Sequence, residues 1–451
     1  MHRRRVLAGA SAVLLSAGAG WSLPQGLGAA VSGRAAKNPL RGLVPEGCAA
    51  NLAPVQAAWS ELTGQPVELQ VADLDGITTQ MMLDRISGLS DYDFALPATF
   101  GLPDLVAARA IQPFAPLAQA TGIGFDAVAS GHLYTKGDVF EGARYGAQTD
   151  GDVYLMFYRR DLADQLEQAT GTRFAIPSDW PTLDGQMEAL HRPDQEQYGG
   201  VLFRVPGYLG WEYLARLDAE GHRPFDEDFE PQFNSEAAFG VLEAMRRSQD
   251  HLHPASLKAG LFENWEVYRS EKIFANIGWG GSQKAFNAPG SPLRGKLLHG
   301  ALPPGAGRGG GYFNWGWSYV VPTHAAQPEA AYLFAMLAMT DEVSTRAIRE
   351  SAGFFDPFLP VHYGDDAVRA AYSDPFLEVH RAAMARAAPD LYLPGHINYM
   401  SRLNAHLAAA MDGSESPRTA LALIASEWRV ITVEMGAAAQ KRRWRALIGT
   451  G

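Results

Sequence analysis

Between residues 39 and 110 the chain alternates three short apolar runs with three amphipathic ones. Residues 39–44, 66–72 and 92–96 read as strands bounded by Pro, Gly and Asp. Leu52, Val55, Gln56, Trp59 and Leu62 recur at helical spacing and stop at Gly64. Residues 78–87 and 102–110 read as the next two helices. A β-α-β-α-β-α order has few solutions, because parallel strands need crossovers and the crossover helices cover both sheet faces. In sheets of this kind ligands gather outside the carboxyl ends of the strands. That rule nominates the loops at 45–51 and 97–101.

A second α/β unit begins near Asp150. Residues 153–158 and 198–203 read as strands, the latter running into the aromatic loop Tyr208-Leu209-Gly210-Trp211. The strand 274–277 ends in Gly278-Trp279-Gly280-Gly281, a large ring between residues without side chains, suited to stacking against a ligand. Asn314-Trp315-Gly316-Trp317 repeats the idea before the strand 318–322. A strand at 296–302 and an apolar helix at 328–340 are assigned back to the first unit, because adding them to the second would lengthen its sheet implausibly. Residues 374–388, 396–411 and 416–435 read as helices. A length of 451 residues independently favours two domains.

Composition limits the function classes. Hydrophobic residues make up 47% and charged residues 19%, the balance of a folded globular chain. The net charge is −11 and no Lys/Arg block marks a nucleic-acid surface. Lys441-Arg442-Arg443-Trp444-Arg445 reads as a solvated helix end. His2-Arg3-Arg4-Arg5 followed by a small-residue apolar run reads as a signal peptide spanning 1–30, with the paired arginines suiting the twin-arginine route. Export and a soluble periplasmic protein are the expectation. Cys48 is the single cysteine, so there is no disulfide framework or thiolate metal cluster. Catalytic signatures are missing: Ser282 lacks a Gly-x-Ser-x-Gly elbow, and there is no His-Glu-x-x-His. His251 and His253 read as a surface helix end, and residues 226–230 as an exposed hairpin rather than a calcium loop. The glycines of 304–311 lack the Lys-Ser/Thr of a phosphate loop. No metal and no cofactor are expected, and binding is favoured over catalysis.

Several segments in the same order then carry a resemblance. These are Tyr145-Gly146-Ala147-Gln148 with Tyr154-Leu155-Met156-Phe157-Tyr158-Arg159-Arg160-Asp161-Leu162, then Ser178-Asp179-Trp180-Pro181-Thr182-Leu183, then Phe274 through Trp279. Gly316-Trp317-Ser318-Tyr319-Val320-Val321-Pro322 with Pro328-Glu329-Ala330-Ala331-Tyr332 follows, and Met411-Asp412-Gly413 with Pro417, Ala420 and Leu421 closes the series. Together they resemble the extracellular solute-binding proteins of ABC importers, family 1, the maltose- or sugar-binding-like group. The resemblance implies an α/β, two-domain periplasmic-binding-protein fold of type II, with the ligand cleft between domains joined by crossing hinge segments. Carried over, the first domain is 38–149 plus 285–345, the second 150–284 plus 346–440, and 441–451 a basic tail. It implies a monomer that closes on a sugar, oligosaccharide or polyol and delivers it to ABC permease transmembrane subunits. The implied ligand-binding residues are Glu46, Asn51, Thr99, Phe100, Asp150, Asp152, Tyr208, Trp211, Trp279, Asn314, Trp315, Trp317, Phe355, Asp356, Asn398 and Tyr399. Phe355-Asp356-Pro357 departs from the family's usual basic position, which favours a neutral polyhydroxy ligand or a cation over an anion. An exported carbohydrate-active enzyme, and a binding partner of a sensor or another periplasmic system, are the competing readings.

Overall fold

A computed structural model describes residues 21–34, 36–74, 76–88, 91–129, 131–133, 136–307, 316–387 and 391–449. Asn314, Trp315, residues 1–20 of the expected leader and the 308–311 part of the glycine loop lie outside them. The chain forms two units, residues 1–151 with 316–368 and residues 152–315 with 369–451.

The first unit is built on a five-stranded sheet, in the order Val67–Ala72, Leu40–Pro45, Phe94–Ala95, Ser318–Val320, Gly146–Gln148. The first three strands are parallel, as the alternating pattern requires, and Ser318–Val320 is antiparallel to both neighbours. Phe94 stacks on Phe334 with ring centres 4.7 Å apart, and Trp59 meets the same ring edge-on at 5.6 Å. Gly42 is required here, because a Cβ would lie 2.2 Å from the Phe94 ring. Phe334 belongs to the helix Pro328–Ala338, which is apolar all round and almost wholly buried, as a central helix must be.

The helix Leu27–Ser32 runs across the end of the expected leader. Leu27 and Val31 are fully buried, and the helix packs on Ala49–Thr63 and Pro328–Ala338. A cut after Ala30, the limit expected for the leader, would fall within this helix. The domain limits differ from the expected ones. Residues 346–368 stay with the first unit, because the buried amide of Asn51 donates from Nδ2 to the Ala347 carbonyl at 2.8 Å and the Leu133 N–H donates to the Phe358 carbonyl at 3.0 Å.

The second unit holds a four-stranded sheet ordered Leu297–Ala301, Leu155–Arg159, Lys272–Gly278, Gln197–Val201. Residues 285–307, expected in the first domain, belong here. Leu297–Ala301 pairs antiparallel along the whole of Leu155–Arg159, so the sheet takes one further edge strand without strain. Four helices, Asp374–Arg386, His396–Asp412, Pro417–Glu434 and Ala437–Ile448, follow in the same unit. Phe225, Phe233, Tyr399 and Trp428 form an aromatic core there, with ring centres 4.7 to 5.0 Å from Trp428. The basic segment 441–445 is no loose tail. Trp444 is buried and donates from Nε1 to the Asp226 carbonyl at 2.7 Å, while Lys441 and Arg445 pair with Asp228. Among the described residues no helix is long and apolar enough to cross a membrane.

Candidate functional site

In the first unit the nominated loops do lie at the carboxyl ends of parallel strands, and they contribute unequally. Glu46 follows Leu40–Pro45 and is exposed, its N–H donating to the Ala72 carbonyl at 2.9 Å. Thr99 is buried, with its N–H on the Gly316 carbonyl at 2.9 Å, and Phe100 is half-buried. Asn51 departs from its expected role. It is fully buried, with Oδ1 accepting from the Phe355 N–H at 3.3 Å and Nδ2 already donating to Ala347, so its amide holds protein backbone. Gly353 passes so close that a Cβ would sit 1.9 Å from Asn51 Oδ1.

Two acids of this unit come together. The Asp356 N–H donates to Asp150 Oδ1 at 2.6 Å, the Gly151 N–H returns to the Asp356 carbonyl at 3.1 Å, and the two carboxylates approach within 4.8 Å. Both side chains are fully buried. The Gln148 amide donates to the Asp150 carbonyl at 2.6 Å, and the Gln148 N–H donates to Asp138 Oδ2 at 2.8 Å. Burial pushes the Asp138 carboxyl above its ordinary range, against the opposing pull of Arg144, His132, Ser318 and the Gln148 backbone. The Ser318 hydroxyl donates to its Oδ1 at 2.5 Å. Trp317 is buried with its ring 5.9 Å from Phe354, which in turn lies 5.3 Å from the buried Phe355. These rings pack one another.

In the second unit the aromatics converge. Trp279 lies 4.6 Å from Tyr154, 5.4 Å from Phe203 and 6.3 Å from Trp265, centre to centre. Tyr208 lies 5.7 Å from Phe203 and 5.2 Å from Trp211. Trp279 is only 3% exposed, so it is the middle of the cluster rather than a bare wall. Tyr208 is the most exposed of these rings. The glycine before Trp279 is needed, since a Cβ on Gly278 would meet Ser282 Oγ at 2.5 Å. Ser282 is fully buried, and its hydroxyl donates to the Trp279 carbonyl at 2.5 Å and accepts from the Trp279 N–H at 3.1 Å. That hydroxyl caps a helix.

Tyr154, Phe203, Tyr208, Trp211, Glu212, Ala215, Ile277 and Leu302 line a small pocket, with free space for roughly one water molecule. Glu212 is the single charged residue of that lining. Its carboxylate accepts from Arg204 Nε and Nη2 at 2.9 and 2.7 Å and from Arg216 Nε at 2.9 Å. Arg216 also makes a two-pronged pair with Asp184 at 2.8 Å and lies 4.2 Å over the Trp180 ring. Burial alone would raise the Glu212 carboxyl; Arg204 and then Arg216 reverse this and hold it below the usual carboxylate range. Two carboxylates, Glu212 and Asp184, thus balance two guanidinium groups, Arg204 and Arg216, in one buried network.

Asp152 is buried and opens the segment leading to Tyr154. Asn398 is exposed. Tyr399 falls in the helical core, its hydroxyl 2.9 Å from Thr432 Oγ1 and its carbonyl accepting from Trp428 Nε1 at 2.9 Å. The Tyr399 side chain is a core contact, which corrects its expected ligand role. Tyr154, Phe203 and Trp265 were not among the expected residues. The antiparallel register explains Tyr154: Leu155 pairs with Gly278, so the residue before one meets the residue after the other.

The family model for bacterial extracellular solute-binding proteins matches residues 49–344. A mannitol-binding protein of Pseudomonas aeruginosa is 26% identical over 232 residues, 46% of this chain and 49% of that protein. A probable ABC transporter-binding protein of Deinococcus radiodurans is 25% identical over 249 residues, 52% of this chain and 57% of its own. The chain thus spans about half the length of the curated relatives it matches. An ABC transporter solute-binding protein from Agrobacterium radiobacter in complex with ribitol superposes with a TM-score of 0.75 at 18% identity, covering 87% of this chain and 98% of that one. One from Agrobacterium vitis with bound D-mannitol gives 0.73 at 17% identity, over 89% and 99%. At these identities the likeness is one of fold.

Proposed function

We propose, for a chain that belongs to the bacterial extracellular solute-binding protein family and has the two-domain α/β fold of type II periplasmic binding proteins, that it captures a neutral polyol or carbohydrate outside the cytoplasm and hands it to an ABC permease. The observation that carries this reading is the aromatic cluster of the second unit, with its single lining carboxylate already neutralised by two arginines. Sugars and sugar alcohols offer apolar C–H faces to rings and hydroxyls to acceptors. Asp150 and Asp356 in the first unit are acceptors of the kind that hydroxyls need. A cationic ligand would find Glu212 already paired. The mannitol-binding relative and the ribitol and D-mannitol complexes support a polyol over a charged solute.

In this reading the protein is exported, works as a monomer and leaves its ligand unchanged. Thermal unfolding and intrinsic fluorescence with ribitol, D-mannitol and maltose provide the test. A saturating ligand should raise the midpoint, by about 2.7 kcal/mol of stability at one hundred times Kd, and be recovered intact. Conversion of the ligand during incubation would replace binding by catalysis.

A further inference from the structure

The helix Leu209–Ala219 carries Trp211 and Glu212, and Tyr208 sits at its N-cap position. Within the first turn the Trp211 N–H donates back to the Tyr208 carbonyl at 3.2 Å, and the Gly210 N–H needs another acceptor. The Gly210 N–H finds it far away in sequence, donating to Asn404 Oδ1 at 2.7 Å. Asn404 Nδ2 donates to the Gly207 carbonyl at 2.9 Å, so one carboxamide grips both ends of the four-residue turn that presents Tyr208. Asn404 is only 8% exposed and belongs to the helix His396–Asp412.

The backbone of the turn is shaped for this grip. Gly207 has φ of +111°, a conformation that side chains disfavour. A Cβ on Gly210 would lie 2.9 Å from Leu403 and Met400 side-chain atoms and 3.0 Å from Asn404 Oδ1. The helix comes close only because Gly210 has no side chain.

We infer that Asn404 is the positioning residue of the aromatic wall: it caps Leu209–Ala219 from a distant helix and so fixes where Tyr208 and Trp211 present their rings. This rests on the reading that those two rings face the ligand. Asn is suited because one planar group supplies an acceptor and a donor in the spacing that the turn offers. Asp would keep the acceptor and lose the donor, and Ala would lose both.

The test compares wild type, Asn404→Ala and Asn404→Asp in the full chain, by amide hydrogen exchange and by calorimetric titration with ribitol, D-mannitol and maltose. Asn404→Ala should lose about tenfold or more of the protection at residues 208–212, the scale of a lost helix cap, while exchange elsewhere stays as in wild type. Its affinity should fall by about tenfold or more, and Asn404→Asp should recover part of both losses. In the background of Tyr208→Ala, the Asn404→Ala change should cost less affinity than it does alone, because the residue acts through that ring. Wild-type protection at 208–212 in Asn404→Ala overturns the inference, as does a loss of protection spread over the whole unit. Full additivity with Tyr208→Ala overturns the coupling. Should wild type bind none of the three probes, the proposed ligand class fails, and the exchange data alone then decide the role of Asn404.

Discussion

Replacing Trp279 and replacing Tyr208 are different experiments, although both rings belong to one cluster. Trp279 is almost fully enclosed by Tyr154, Phe203 and Trp265. Trp279→Ala should therefore cost about 3–5 kcal/mol of stability besides any affinity, which urea unfolding would read. Tyr208 is half-buried, so Tyr208→Ala should weaken polyol binding by about tenfold while moving the unfolding midpoint little. Unchanged titration curves for that variant would take Tyr208 out of the site. Glu212→Gln should destabilise by about 3 kcal/mol, because it leaves the buried Arg204 and Arg216 short of a counter-charge. At this scale the sequence shows side chains whose setting is local. Tyr208 and Trp211 announce themselves beside their own glycines. Asn51 and Tyr399 do not, since their partners Ala347 and Thr432 arrive from distant segments, and polarity alone does not tell a ligand contact from a backbone clasp.

Strands and helices were legible where their pattern closes on itself. The alternation in residues 39–110 predicts the three parallel strands of the first sheet within a residue or two. The strand Leu297–Ala301 was recognisable as a strand but not as a neighbour of Leu155–Arg159, because antiparallel edge pairing leaves no mark in either run alone. The C-terminal helix Ala437–Ile448 is the other such case. Its charges read as a solvated end, whereas Trp444 and the fully buried Gln440 fasten it to the unit. Gln440 Nε2 donates to the Pro394 carbonyl at 2.7 Å. Deleting residues 437–451 should uncover Phe225 and lower the midpoint by roughly 10 °C, measured by circular dichroism. A midpoint equal to that of the full chain would mean that the helix contributes nothing to the core.

Across the whole molecule, acid should act through two histidines held well below the ordinary imidazole range, one in each unit. Burial pulls His299 down to about 4 and His362 to about 3. His362 Nδ1 accepts from the Phe358 and Leu359 N–H groups at 3.2 and 3.3 Å, which fixes the neutral ring. Both folded values lie below the unfolded one, so the unfolded chain takes up protons first as pH falls. Their contribution is complete above about pH 6.5 and is lost progressively below it, a few kcal/mol for each ring. Calorimetric midpoints should hold above pH 7 and drop between pH 6.5 and 4, and His299→Gln should flatten that drop. A pH-independent midpoint across this range would contradict both assignments.

The sheet order of the first unit also sets a timetable. Ser318–Val320 lies between Phe94–Ala95 and Gly146–Gln148, so a strand made late in synthesis joins two made early. Until about residue 320 has left the ribosome, the early strands have open edges, and the contacts that will hold them span 170 to 225 positions of chain. A nascent polypeptide of three hundred residues should thus be digested readily in its first 150, and one of about 370 should resist. Such a chain keeps its leading half open to chaperones and proteases for most of its translation.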